Sequence, residues 1–287
     1  MDQWSGGIFP VIQGYLYLYI PLLTMGLMSR ELSNGSIKLL YSSPVTNHEI
    51  DLGKYLAMMI YGLALIGILS IYVIFSACTI KAFDGIAVLS GLLGLYLLIC
   101  SYAAIGLFMS SLTSYQVVSA MGTLAILAAL SLVRGVWQDI ELVRDITYWL
   151  SINGRADEFV NGLICSEDVI YFVIVTALFL VLTIMRLQVI RQKTSWVIAW
   201  GKYIGVFLIA MFLGYLSSRP QLMGFYDATR TKARTLTPNS QEVMNKMDGG
   251  LKITTYVNVL DRFVYYGLPK AVKGDMNRFK MYRRFKP

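Results

Sequence analysis

Long apolar runs separated by short polar loops dominate the chain from Met1 to Leu216. Six runs, Ile8–Met28, Tyr55–Ile80, Ile86–Met109, Val117–Val133, Val169–Met185 and Trp196–Leu216, reach or approach the length of a membrane crossing. About 20 helical residues cover a hydrocarbon core roughly 30 Å thick. The runs are rich in Leu, Ile, Ala and Gly and nearly free of charge. They lack the apolar–polar alternation of a barrel strand. In lipid a continuous apolar segment must satisfy its backbone internally, so each run is expected to be a helix. The pattern predicts an all-α polytopic membrane protein with about six transmembrane helices.

After Leu216 the composition becomes polar. Thr237-Pro238 supplies an N-cap and an N1 proline, and Gly249-Gly250 ends the helix they start. Leu251–Leu260 then alternates as a strand, with Leu251, Ile253, Val257 and Val259 on one face. A helix followed by a strand predicts the beginning of an α/β domain, incomplete because about 70 residues hardly close a large core. Three regions follow: a transmembrane domain over 1–185, a linker and anchor helix over 186–216, and the start of the α/β domain over 217–287.

Charge sets the orientation. The chain is 56% hydrophobic and 15% charged, with a net charge of +8. Fourteen Lys and Arg against five acids fall between Arg219 and Lys286, so the remainder is close to neutral. Arg30, Lys38 and Lys54 lie in the loop Ser29–Lys54, and Arg186, Arg191 and Lys193 in the loop Arg186–Ser195. The alternate loops are poorer: Lys81–Gly85 has one Lys, and in Gln138–Asp168 acids offset Arg144 and Arg155. The positive-inside rule puts the first pair of loops in the cytoplasm and the tail outside. The tail's basicity argues the other way, but the rule weakens for long translocated segments. No basic stretch of a secretory signal precedes the first run. An N-terminus placed directly before a membrane run is expected of a fragment whose preceding segment is missing.

The loop Ser29–Lys54 carries the most specific pattern. Asn34-Gly35 is a turn signal. Ser36–Tyr41 reads as a short amphipathic helix with Ile37 and Leu40 on one face, stopped by Pro44. Thr46-Asn47-His48-Glu49 is a capping box that starts the next helix. Glu31, Gly35-Ser36, Leu39-Leu40, Ser43-Pro44-Val45 and Gly53-Lys54 together resemble the loop of type-2 ABC exporter permeases. The resemblance implies that Glu31, Gly35, Ser36, Leu39, Leu40, Pro44, Val45 and Lys54 dock a separate ATPase subunit. It covers Ile8 to about Met185, which looks like five of the six helices usual in that family, with the first helix missing.

Gln138–Leu150 is amphipathic and too short to span, with Ile140, Val143, Ile146, Trp149 and Leu150 on its apolar face. It is expected to lie at the outer interface or to form half of a re-entrant hairpin. Asn153-Gly154 is expected to turn the chain back. Type-2 ABC permeases resemble this region too, which implies an exit-side hairpin built on Ile140, Val143, Ile146 and Trp149. Arg134 and Gln13 are the polar side chains closest to the membrane core, and Pro21 is placed to kink the first run. Ala125 and Ala129 form a small-xxx-small pair. Cys78 and Cys100 fall inside runs and read as small buried hydrophobes, with no disulfide framework.

Catalytic chemistry has no candidate. The single histidine, His48, belongs to the capping turn. No His-Glu-x-x-His, Cys-x-x-Cys or Gly-x-Ser-x-Gly occurs, and Asp51 and Asp84 are assigned to loops. The chain has no Walker A sequence, so it has no ATP site of its own. No metal or cofactor is expected, and ATP with Mg would be bound by the partner. The segment Phe225–Thr229 through Thr235-Leu236-Thr237-Pro238 to Ile253 resembles the start of the gliding-motility-type ABC accessory subunit, anchored by Trp196–Leu216. These resemblances together imply a non-enzymatic export permease of the bacterial inner membrane, paired with an ATPase, a second permease copy and lipid. In the competing reading the chain is a non-transporting scaffold. Arg278, Lys280, Arg283, Arg284 and Lys286, interleaved with Phe279, Tyr282 and Phe285, would then bind anionic lipid or nucleic acid.

Overall fold

The computed structural model describes residues 8–42, 44–81, 83–132, 151–191, 196–217, 224–232, 234–246, 279 and 282, leaving aside the side chains of 40 and 196–199. Arg134, Ile140, Val143, Ile146, Trp149 and the expected strand Leu251–Leu260 lie outside the described residues, as does most of the basic–aromatic segment. Among the described residues are ten helices and two short strands.

The first run does not stay helical to its end. Helix α1 (Phe9–Thr24) stops before Met28, four turn residues follow, and α2 (Ser29–Ser33) resumes. A break in lipid must have its backbone groups satisfied from elsewhere. Ser110 does so from a neighbouring helix: its Oγ accepts from Met28 N at 2.9 Å and Ser29 N at 3.0 Å, and donates to Met25 O at 3.0 Å. Gly35, at φ +70°, turns the chain into α3 (Ile37–Ser42), a conformation that side chains with a Cβ resist.

Helix α4 (Asn47–Thr79) opens on the expected capping box. Thr46 N donates to Glu49 Oε2 at 2.7 Å, and Glu49 N to Thr46 Oγ1 at 3.3 Å. Capping therefore starts the helix eight residues before the apolar run, and Asp51 and Lys54 sit inside α4 rather than in a loop. Hydropathy marks only the part of a helix that meets lipid. After Asp84, whose side chain accepts from Ala87 N, come α5 (Gly85–Leu112) and α6 (Gln116–Leu132). Next are α7 (Ile152–Val160), β1 (Leu163–Cys165), α8 (Ser166–Arg191), α9 (Trp196–Ser217), β2 (Phe225–Asp227) and α10 (Pro238–Lys246). Among the described residues, five stretches are long and apolar enough to cross a membrane: Phe9–Ser33, α4, α5, α8 and Trp200–Ser217. Helix α6 is apolar but reaches only 17 described residues.

Helix α5 is the axis of the bundle and packs on α1, α4, α6, α7 and α8. In lipid, helices gain little from removing apolar surface, and close packing of small residues takes over. The buried side of α5 carries Ser90, Gly91, Gly94, Ser101, Ala103, Ala104, Gly106, Ser110 and Ser111. At Gly94 a Cβ would come within 2.4 Å of Phe159 Cβ, so only glycine admits α7 at this distance. The lipid-facing side of α4 shows Ile60, Ile68, Ile71 and Phe75, each about two-thirds exposed. Cys78 is exposed as well, against expectation, while Cys100 is buried.

The ends of α5 define two ends of the molecule. At its C-terminus lie α2, α3 and the start of α4; at its N-terminus lie β1 and the start of α8. The crossings alternate, so the chain leaves α9 at the β1 end. Strand β2 then pairs antiparallel with β1, placing Leu163 opposite Asp227, Ile164 opposite Tyr226 and Cys165 opposite Phe225. Arg230 N donates to Asp84 Oδ2 at 2.7 Å and Arg234 Nη2 to Asn161 Oδ1 at 2.9 Å. The tail thus grips the β1 end through a strand that the sequence pattern missed, being only three residues long.

Candidate functional site

At the α3 end, the sequence-selected residues divide into a fastened set and an exposed set. Lys54, about two turns into α4, donates to Glu31 Oε1 and to the Leu27 carbonyl, both at 2.5 Å. This half-buried ion pair locks α2 and the α1–α2 break onto α4. Ile37 is buried beside Met28, Ile50, Tyr55 and Leu187, and Val45 packs at the rim of that cluster. Arg191, at the end of α8, reaches across to the Tyr41 carbonyl and Asn47 Oδ1, each at 3.4 Å, with its guanidinium 5.7 Å from the Tyr41 ring centroid. Burial pushes the Tyr41 phenol above its ordinary pKa, although Arg191 and Arg186 pull against the shift. The α2–α3 element is therefore tied to α4 and to α8 at once.

The exposed set is apolar at its centre. Leu39 is 74% exposed, and Lys38, Ser42 and Pro44 surround it on the open side. Gly35 and Ser36 form the turn beneath and are half-buried. The Leu40 side chain lies outside the described residues. Leu39 is thus a large aliphatic side chain held out on a six-residue helix. On α4, Asp51 is fully buried with neither carboxylate oxygen hydrogen-bonded.

Toward the other end, α7 overturns an expectation. Asn153-Gly154 does not turn the chain; both residues lie inside this helix. Asn153 is held by two tertiary bonds, accepting from Tyr102 OH at 2.7 Å and donating to Ser131 Oγ at 3.0 Å. The other end of α7 is held where Ser90 Oγ donates to the Phe159 carbonyl at 2.9 Å. Helix α7 thus runs beside α5 from the level of Tyr102 to that of Gly94 and Ser90. At 1.5 Å per residue its first turn lies about 20–25 Å inside the β1 end, close to the middle of a core roughly 30 Å thick. Of the other intramembrane polar candidates, Gln13 is half-buried on α1 with its Nε2 unpartnered.

One charged group was read only as loop charge. Arg155 is 3% exposed and forks onto Glu167 Oε1 at 2.9 Å and Asp168 Oδ1 at 2.6 Å, with its guanidinium 4.6 Å from the Tyr171 ring centroid. It fastens α7 to the first turn of α8. An acidic pair opening an apolar run was the available signal, since buried charges require partners.

Residues 7–141, somewhat under half of the chain, match the family model described as ABC-2 family transporter protein. The matched stretch contains α1 to α6 and therefore the whole α3-end cluster except the α8 contacts. No curated protein and no solved structure gives a significant match.

Proposed function

We propose that the chain is the membrane-spanning permease subunit of an ATP-driven ABC exporter in a bacterial cytoplasmic membrane. The observation that carries this reading is the α3-end surface inside the matched stretch: Leu39 stands exposed on an element tied to two long helices. An ATPase that grips Leu39, Lys38 and Pro44 moves α2–α3 as it binds ATP. Lys54–Glu31 passes that movement to α4, and Arg191 passes it to α8. Gly35 lets the element pivot. ATP and Mg belong to the partner, because this sequence has no phosphate-cradling loop of its own. Two permease copies face each other across the pathway. Ile140, Val143, Ile146 and Trp149 belong to the exit-side hairpin of that pathway. The tail lies outside as the start of a gliding-motility-type accessory domain.

Purification of the full chain from its native membrane tests the reading. ATPase activity is expected to co-purify, and Leu39→Glu should lower its recovery about tenfold or more, the loss of one buried leucine contact. The melting temperature should change little, because Leu39 is 74% exposed. A folded wild-type chain that retains no ATPase in mild detergent would favour the scaffold reading, which draws support from the β1–β2 grip on the tail.

A further inference from the structure

Among the described residues, the start of α7 is a buried helix end without a side-chain cap. Its N-cap residue, Ser151, is 2% exposed and makes no capping bond; its Oγ has no hydrogen-bond partner. Ile152 beside it is fully buried. No acidic residue occupies the first turn, so nothing in the helix offsets the positive end of its dipole. Helix N-termini leave several N–H donors unpaired, and away from water these need an acceptor. Serine is a strong capping residue in water, yet here its hydroxyl is held buried and unused. Nor is Arg155 the missing partner, because its guanidinium is engaged by Glu167 and Asp168.

We propose that the N-terminus of α7, with the Ser151 hydroxyl, binds an oxyanion carried by the molecule that the permease moves, of the phosphate class. This rests on the exporter reading and adds a substrate class to it. Converging N–H donors at a helix start suit a group with several oxygens, and a half-helix that begins near the bilayer midplane lies where a transported group passes. Tyr102 and Ser131 act as positioning residues: they fix Asn153, and with it the direction in which the first turn points. Two sources carry this chemistry, a lipid phosphate and a soluble one.

The test measures binding on the purified full chain in nanodiscs, without an ATPase. Melting is followed with inorganic phosphate against chloride at equal ionic strength, and in discs containing phosphatidic acid against phosphatidylcholine alone. One source is expected to raise the melting temperature by about 2–4 °C, and the arm that responds identifies it. Ser151→Ala should melt like the wild type unaided, since its hydroxyl has no partner to lose, and should lose most of the response. Ser151→Asp should melt higher unaided and ignore both probes, having supplied its own anion. No response in the wild type, an undiminished response in Ser151→Ala, or a lower melting temperature for Ser151→Asp overturns the proposal. Those outcomes leave the exporter reading standing, and failure of ATPase co-purification would leave the binding result standing.

Discussion

Arg155 and Asp51 place buried charge under opposite conditions. Arg155 has two carboxylates and an aromatic face, whereas neither oxygen of Asp51 is hydrogen-bonded. Arg155→Met would take from Glu167 and Asp168 the guanidinium to which each is bonded, and removing one partner of a buried ion pair costs about 3–5 kcal/mol. The variant should show a large drop in melting temperature or fail to accumulate; a normal melt would mean that the ion pairs contribute nothing net. Asp51→Leu should do the reverse. A buried polar group without a partner costs about 1–3 kcal/mol, so the variant is expected to melt higher than the wild type. A lower melt would show that the carboxylate has a partner when the protein sits in its membrane. The sequence marked Glu31 and Lys54 separately through their family resemblance. Their pairing was not legible, because the two lie 23 positions apart on different helices. Hydropathy alone assigns Asp51 to a loop, although the capping box that begins at Thr46, five residues upstream, marks a helix start.

Among the elements, α4 was the most legible and α7 the least. A capping box is a local device, and Thr46 and Glu49 form it as written. Asn-Gly is also a local signal, but at 153–154 tertiary bonds from Tyr102 and Ser131 overrode it and drew the pair into a helix. The small residues of α5 were visible as composition, but which partner each admits depends on the packing. Gly94 is the sharpest case, since a side chain there collides with Phe159. Gly94→Leu should push α7 away from α5 and expose its first turn. The measurement is maleimide reactivity of Asn153→Cys: slow in the parent, fast when combined with Gly94→Leu. Equal rates would mean that α7 seats independently of α5.

For the molecule as a whole, the apolar pattern predicted the helices well because length and hydropathy are strong signals in lipid. The tail's attachment was hidden: β2 is short, and its partner β1 lies some 60 residues earlier, beyond the reach of periodicity. The two-ended arrangement is nevertheless consistent. Basic loops gather at the α3 end, and the β1 end gathers the tail. The account depends on which end faces the cytoplasm, because ATP is available only there. Impermeant maleimide applied to intact spheroplasts decides it, in a Cys78→Ser background that removes the exposed native thiol. Ser42 on α3 and Ser240 on α10 are suitable reporters. With the α3 end in the cytoplasm, Ser240→Cys is expected to be labelled in intact spheroplasts and Ser42→Cys only after they are permeabilised. Labelling of Ser42→Cys from outside, with Ser240→Cys protected, would put the α3 surface out of reach of any cytoplasmic ATPase and contradict the proposed function.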